Sequence, residues 1–142
     1  MEFKIINPET GEHSTYTHQT IANFLFTHLE QYGDKVEDIL KCIDYAMNPN
    51  KGGNIIVGID NDKIVGVVIL NNTGMKDFIP ENILVYIAVD NNQRGKGYGK
   101  ITIDFIVSFA FQANCETIYL TVNKNNINSI KFYKKFEFYL YF

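Results

Sequence analysis

Apolar residues recur along the chain with two periods, and the places where one period yields to the other divide it into elements. Over residues 17–32, Ile21, Phe24, Leu25, His28 and Leu29 return at the spacing of one helix face, and Gly33 follows as a stop signal. Asp34 with Glu37 three residues later reads as a capping box. It opens a second helix with the stripe Val36, Ile39, Leu40, Ile43 and Ala46, closed by Asn48-Pro49. Period two takes over at 54–60 and 63–70, two β-rich runs joined by the hairpin pair Asn61-Asp62. Residues 1–7 read as a first strand and 71–80 as a loop, while 82–90 is apolar on both faces, as a central strand is. The glycine-rich stretch 94–99 opens a long helix whose expected inward face is Ile101, Phe105, Ile106, Phe109 and Ala113. A strand at 117–122, a helix at 126–135 and a short aromatic strand at 138–142 complete the order β-αα-ββ-β-α-β-α-β. That order predicts one domain over residues 1–142 with a mixed α/β sheet.

Composition narrows the partners. A net charge of −3 and a pI near 5.5 argue against nucleic acid held by phosphate neutralisation. Lys131, Lys134 and Lys135 read as a solvated helix face. Cys42 and Cys115 stand far apart and outside any metal-type spacing, so neither a zinc site nor a disulfide framework is expected, and no metal is assigned. No apolar run approaches the ~20 residues that span a bilayer, and the first residues lack the apolar core of a secretory signal. The expectation is a cytoplasmic protein with no membrane partner.

The candidate chemistry lies at Arg94, Gly95, Lys96, Gly97, Tyr98, Gly99 and Lys100, where a buried strand runs through three alternating glycines into a helix. Glycines let successive backbone N–H groups turn inward, and a helix N-terminus adds positive potential, so the turn suits a phosphate-bearing ligand. A tight turn with no ligand is the competing reading. A Walker A loop would need Gly-x4-Gly-Lys-Ser/Thr, but only three residues separate Gly95 from Gly99 and Ile101 follows Lys100. The dinucleotide fingerprint Gly-x-Gly-x-x-Gly would need glycine where Lys100 stands.

The pattern that does match is Arg/Gln-x-x-Gly-x-Gly/Ala, read as Arg94-Gly-Lys-Gly97-Tyr-Gly99. Downstream, Asn126, Tyr133 seven residues later and Phe138 five after that fall in register with it, and residues 83–88 lead into the loop through Ile-Ala. Over 83–138 the chain resembles the GNAT superfamily of acyl-CoA N-acyltransferases. The resemblance implies a mainly antiparallel sheet with splayed central strands and helices on both faces. It implies transfer of acetyl from acetyl-CoA directly to a primary amine, with the pantetheine arm on main-chain groups of Ile87, Ala88 and Val89. The Val89 N–H would hold the thioester oxygen. The pyrophosphate would lie on the amides of residues 94–99, aided by the Arg94 and Lys100 charges, and Asn126 would bond the arm. Tyr133 would be the general acid for the leaving thiolate, with packing in the core as its alternative role.

Some members carry a Glu at the position of Ile83; Glu81, two residues earlier on the same face by period-two alternation, is the candidate base, with Tyr86 expected on the opposite face. His28 reads as a core histidine before an acceptor contact, and Asn71, Thr73 and Met75 stand in a loop near the acceptor end of such folds. Two departures are visible: Glu137 replaces the usual glycine before Phe138, and the aromatic strand 138–142 suggests an edge covered by a second copy in a homodimer. A catalytically inert acyl-CoA-binding module is the alternative function, and the acceptor is not legible.

Overall fold

Among the described residues, five strands pair in the order in which the chain makes them. β1 (Glu2–Ile6), β2 (Gly53–Asp60), β3 (Lys63–Asn72) and β4 (Asn82–Val89) are mutually antiparallel, and β5 (Ile118–Leu120) joins β4 in parallel. Helices α1 (His18–Leu29) and α2 (Val36–Met47) cover one face, and α3 (Tyr98–Gln112) and α4 (Ile127–Lys135) the other. The computed structural model describes residues 1–74, 82–93, 95–112, 118–120 and 126–135. The mixed sheet with helices on both faces is the fold the sequence predicts; the expected strand at 138–142 lies outside the described residues.

β2 and β3 are buried on both sides because their alternation is apolar in both phases. Ile55, Val57, Val67 and Ile69 pack with Ile21, Leu25, Ile39 and Ile43 of α1 and α2; Ile56, Val68 and Leu70 pack with Ile103 and Ile106 of α3 and Tyr133 of α4. Ile21, Ile39 and Ile43 are fully buried, each stabilising the fold by about 1.5–3 kcal/mol. Between β2 and β3 the turn residues Asn61 and Asp62 both take positive φ, 51° and 61°, as a two-residue primed turn requires.

Three local expectations need correction. α1 ends at Leu29, and the left-handed residue that breaks it is Glu30 (φ 55°); Gly33 has an extended backbone. Gly33 is needed for space, since a Cβ there would stand 2.7 Å from Leu29 Cβ. The capping box at Asp34 does not form: Lys35 is the N-cap of α2 with no side-chain cap, because the Asp34 carboxylate accepts a hydrogen bond from Tyr86 Oη instead. The inward face of α3 is rotated from the expected one. Ile101 is 42% exposed, while Thr102, Ile103, Ile106 and Ala110 are buried and Phe105 and Phe109 partly so. Thr102 is admitted because its hydroxyl bonds Tyr98 O at 2.7 Å; it faces Gly66 on β3, where a Cβ would make only ordinary contact with Thr102 Oγ1, at 3.6 Å. Ala113 lies outside the described residues.

The pairing of β3 with β4 slips by one residue. Ile69 faces Tyr86 and Leu70 faces Leu84, which leaves Val85 as an extra, exposed residue in a β-bulge. The bulge inverts the alternation of β4: Leu84 packs toward α3, whereas Tyr86 and Ala88 pack toward α1 and α2. Pairing of β4 with β5 covers 82–84 against 118–120, so β4 runs on past the last described residue of β5. Its far end is one wall of the site.

Candidate functional site

A cleft of roughly 710 Å³ opens where β4 ends. One wall is Ile87, Ala88 and Val89; a second is Gly95, Gly97 and the first turn of α3; a third is α4 from Asn126 to Tyr133; the last is the end of α1 with the 3-10 turn Glu30–Tyr32.

The loop between β4 and α3 is held from several sides. Asp90 N–H donates to Val65 O (2.9 Å), Asn92 N–H to Asp90 Oδ1 (2.8 Å) and Asn91 N–H to His28 Nδ1 (3.0 Å). Gly95 and Gly97 take φ of 88° and 82°, conformations that any L side chain resists, and beyond the adjoining residues no atom of the described residues stands within 4 Å of a Cβ built on either. α3 then begins at Tyr98, and its first intrahelical bond runs from Ile101 N–H to Gly97 O (3.1 Å). The amides of Tyr98, Gly99 and Lys100 therefore have no carbonyl of their own helix to bond, and they carry the positive end of its dipole. Gly99 has a different role. A Cβ there would stand 3.1–3.2 Å from the Phe132 ring, so this glycine sets how closely α4 approaches α3.

Ten of the residues assigned from the sequence to cofactor binding or catalysis line this one cleft: Ile87, Ala88, Val89, Gly95, Gly97, Tyr98, Gly99, Lys100, Asn126 and Tyr133. Lys96 turns aside; its Nζ bonds Gln93 Oε1 at 2.6 Å, and it lines a smaller neighbouring cavity beside Asp60 and Asp90. Tyr98 is anchored by its hydroxyl to Asp60, whose carboxylate accepts a hydrogen bond from the protonated phenol and so raises its pKa. Asn126 is the N-cap of α4, with Oδ1 accepting from Ser129 N–H (3.3 Å) and its carbonyl accepting from Ile130 N–H (3.1 Å). Tyr133 is buried edge-to-face against Phe132, ring centroids 5.6 Å apart, and burial pushes its pKa up to about 12. Arg94, Glu81, Met75, Cys115, Glu137 and Phe138 lie outside the described residues.

His28 is both a core and a cleft residue. Besides accepting from Asn91 N–H, it packs on Phe24 (centroids 4.4 Å) and lies 3.9 Å from Asp90 Oδ1. Asn71 faces α2, donating to Cys42 Sγ at 3.5 Å, and burial pushes the Cys42 thiol up to about 11. The pair that sequence reasoning missed is Tyr86 with Asp34. Simple alternation puts Tyr86 on the wrong face, and nothing in the residues themselves announces the Val85 bulge.

Among the described residues no three His, Cys, Asp or Glu side chains stand together as a metal site. No helix there is long and apolar enough to cross a membrane.

Solved structures with this fold include a possible acetyltransferase from Clostridium difficile 630 (TM-score 0.73, 20% identity, 100% of this chain and 93% of that one). Another is a ribosomal-protein-alanine N-acetyltransferase from Brucella melitensis biovar Abortus 2308 (TM-score 0.65, 15% identity, 100% and 98%). A third is an aminoglycoside acetyltransferase from an uncultured soil metagenomic sample (TM-score 0.67, 16% identity, 99% and 94%). At these identities the likeness establishes the fold. No curated protein sequence matches the chain. The sequence model of the acetyltransferase (GNAT) family matches residues 21–138, from the middle of α1 to beyond α4 and across every wall of the cleft, and the chain belongs to that family.

Proposed function

We propose that this protein transfers an acetyl group from acetyl-CoA directly to a primary amine, acting as a single domain. Acyl-group transfer is the chemistry of the family; the donor and the acceptor class are inferred from the site. The observation that carries the reading is the polarity of the cleft along its length. The first-turn amides of α3 and positive-φ glycines stand at one end, and the end of β4 and Tyr133 line the same cleft.

The amides of residues 98–100, with Gly95 and Gly97, receive a pyrophosphate, and Lys100 adds charge at the mouth. Arg94 joins them on the strength of the sequence pattern. Main-chain groups of Ile87, Ala88 and Val89 hold the pantetheine arm as an added strand would be held. Asn126, whose Oδ1 is taken by its own helix, turns its Nδ2 donors to the same arm. The bound thioester supplies an activated acetyl group. The Val89 N–H bonds the oxygen on which charge develops, where a fixed donor has most effect. Tyr133 keeps its proton at every working pH, since its pKa is about 12, and gives it to the departing sulfur.

The test is single turnover. Protein in excess over acetyl-CoA should release free CoA thiol when a small primary amine is added and should bind acetyl-CoA calorimetrically without it. Binding with no amine-dependent release identifies an inert module; absence of binding refutes the reading.

A further inference from the structure

The wall of the cleft opposite the glycines continues into a polar pair that the cofactor does not need. Tyr86 immediately precedes Ile87 on β4, and Asp34 follows the cleft-lining Tyr32 by two residues; the Tyr86 hydroxyl donates to the Asp34 carboxylate. Two separate elements thus leave the cleft at the same point and meet there through a hydrogen bond. Because β4 runs toward the glycine loop, Tyr86 stands about 10 Å upstream of Val89, at ~3.3 Å per residue, on the side away from the phosphate cradle. A linear ligand with phosphates on the loop therefore points its other end toward Tyr86. The Val85 bulge aims this side chain toward α1 and α2.

The surroundings fit a cationic nitrogen. Residues 30–38 carry Glu30, Asp34, Glu37 and Asp38 against Lys35 alone. On the same face of the sheet, Asn71 Oδ1 is buried with no bonding partner among the described residues.

We propose that Tyr86 and Asp34 receive the acceptor: the Tyr86 oxygen holds the amine nitrogen and takes the proton released as the N–C bond forms, while its own proton passes to the Asp34 carboxylate. This rests on the acetyl-transfer reading. The acceptor arrives as an ammonium and first gives one proton to water; the freed nitrogen lone pair then forms the amide bond, the C–S bond breaks, and sulfur takes its proton from Tyr133 on α4, which water reprotonates. The proton on Asp34 then leaves to water. Tyr86 serves as a conduit and not as a phenolate, since burial first and the Asp34 hydrogen bond second hold its pKa well above the ordinary tyrosine range. Tyr86 is the catalytic residue of the pair and Asp34 the positioning one. The acceptor class is a primary amine that is a cation in solution.

The experiment uses acetyl-CoA with n-butylamine and glycinamide as probes, following thiol release by Asp34→Asn, Tyr86→Phe and the double variant. Asp34 is exposed, so its isosteric change keeps the fold intact. Calorimetric affinity for acetyl-CoA should stay within about twofold of wild type, while kcat falls about tenfold or more in each single variant. The double variant should fall little below the weaker single one, as expected of residues that act as a unit. Wild-type kcat in either single variant, or full multiplication of the two losses, overturns the proposal. So does a protein that binds acetyl-CoA and acetylates neither probe, which leaves the cofactor assignment standing. Failure to bind acetyl-CoA sinks both.

Discussion

Gly97 offers a test in which strain and ligand binding separate. Its φ of 82° lies in the left-handed region, and a Cβ added there meets no atom of the described residues within 4 Å beyond its chain neighbours. Gly97→Ala therefore costs backbone strain alone in the free protein, about 1–2 kcal/mol. Gly11 supplies the control: φ is 72°, a Cβ again meets nothing within 4 Å, and the residue sits in the turn after β1, away from the cleft. At ~2.1 cal/mol/K per residue, the unfolding entropy of the 142-residue chain is about 0.3 kcal/mol/K, so either substitution should lower Tm by roughly 3–7 °C. Calorimetry then distinguishes them. In Gly97→Ala the new methyl occupies the open side of the loop where the pyrophosphate is placed, and acetyl-CoA affinity should fall about tenfold, or 1.4 kcal/mol. Gly11→Ala should bind as wild type does. Equal affinity in a folded Gly97→Ala protein, or equal losses in both, would refute the placement of the anion on this loop.

Tyr133→Phe should lower kcat by about 10²–10⁴ while leaving the Kd for acetyl-CoA nearly unchanged; a variant with wild-type kcat on a limiting chemical step would assign Tyr133 to the core alone. Because burial raises the Tyr133 pKa to about 12, its protonated form persists as pH rises, so kcat should show no descending limb between about pH 9 and 11; a limb there would point to another acid. Thr17 is the N-cap of α1, its Oγ1 accepting from Thr20 N–H at 3.2 Å, so Thr17→Ala should destabilise the fold by about 1 kcal/mol in urea unfolding with acetyl-CoA affinity intact.

What the sequence disclosed tracks how local the controlling physics is. The loop was legible because glycine at 95 and 97 answers a conformational demand set within a few residues, and the two β-rich runs showed through because their alternation is apolar in both phases. Where a residue's partner lies far along the chain, the reading failed. Asp34 carries a capping-box pattern, yet Tyr86, fifty-two residues away, holds its carboxylate. The face of Tyr86 was misread because one extra residue at Val85 reverses the alternation, and neither Val85 nor its neighbours depart from ordinary strand composition. Glu81, the base favoured by that same alternation, lies outside the described residues.

The contact between Gly99 and Phe132 makes the calibre of the cleft a shared property of two positions. With only 3.1–3.2 Å between a notional Cβ and the ring, there is no slack for a methyl on α3 unless the ring on α4 withdraws by a few tenths of an ångström. α4 carries Asn126 and Tyr133 as well as Phe132, so any such withdrawal moves the whole wall of the channel in one piece. Residues 99 and 132 thus trade volume. A chain of this fold that enlarges the first without shrinking the second would carry a wider channel, with the phenol on α4 set farther from the strand it faces.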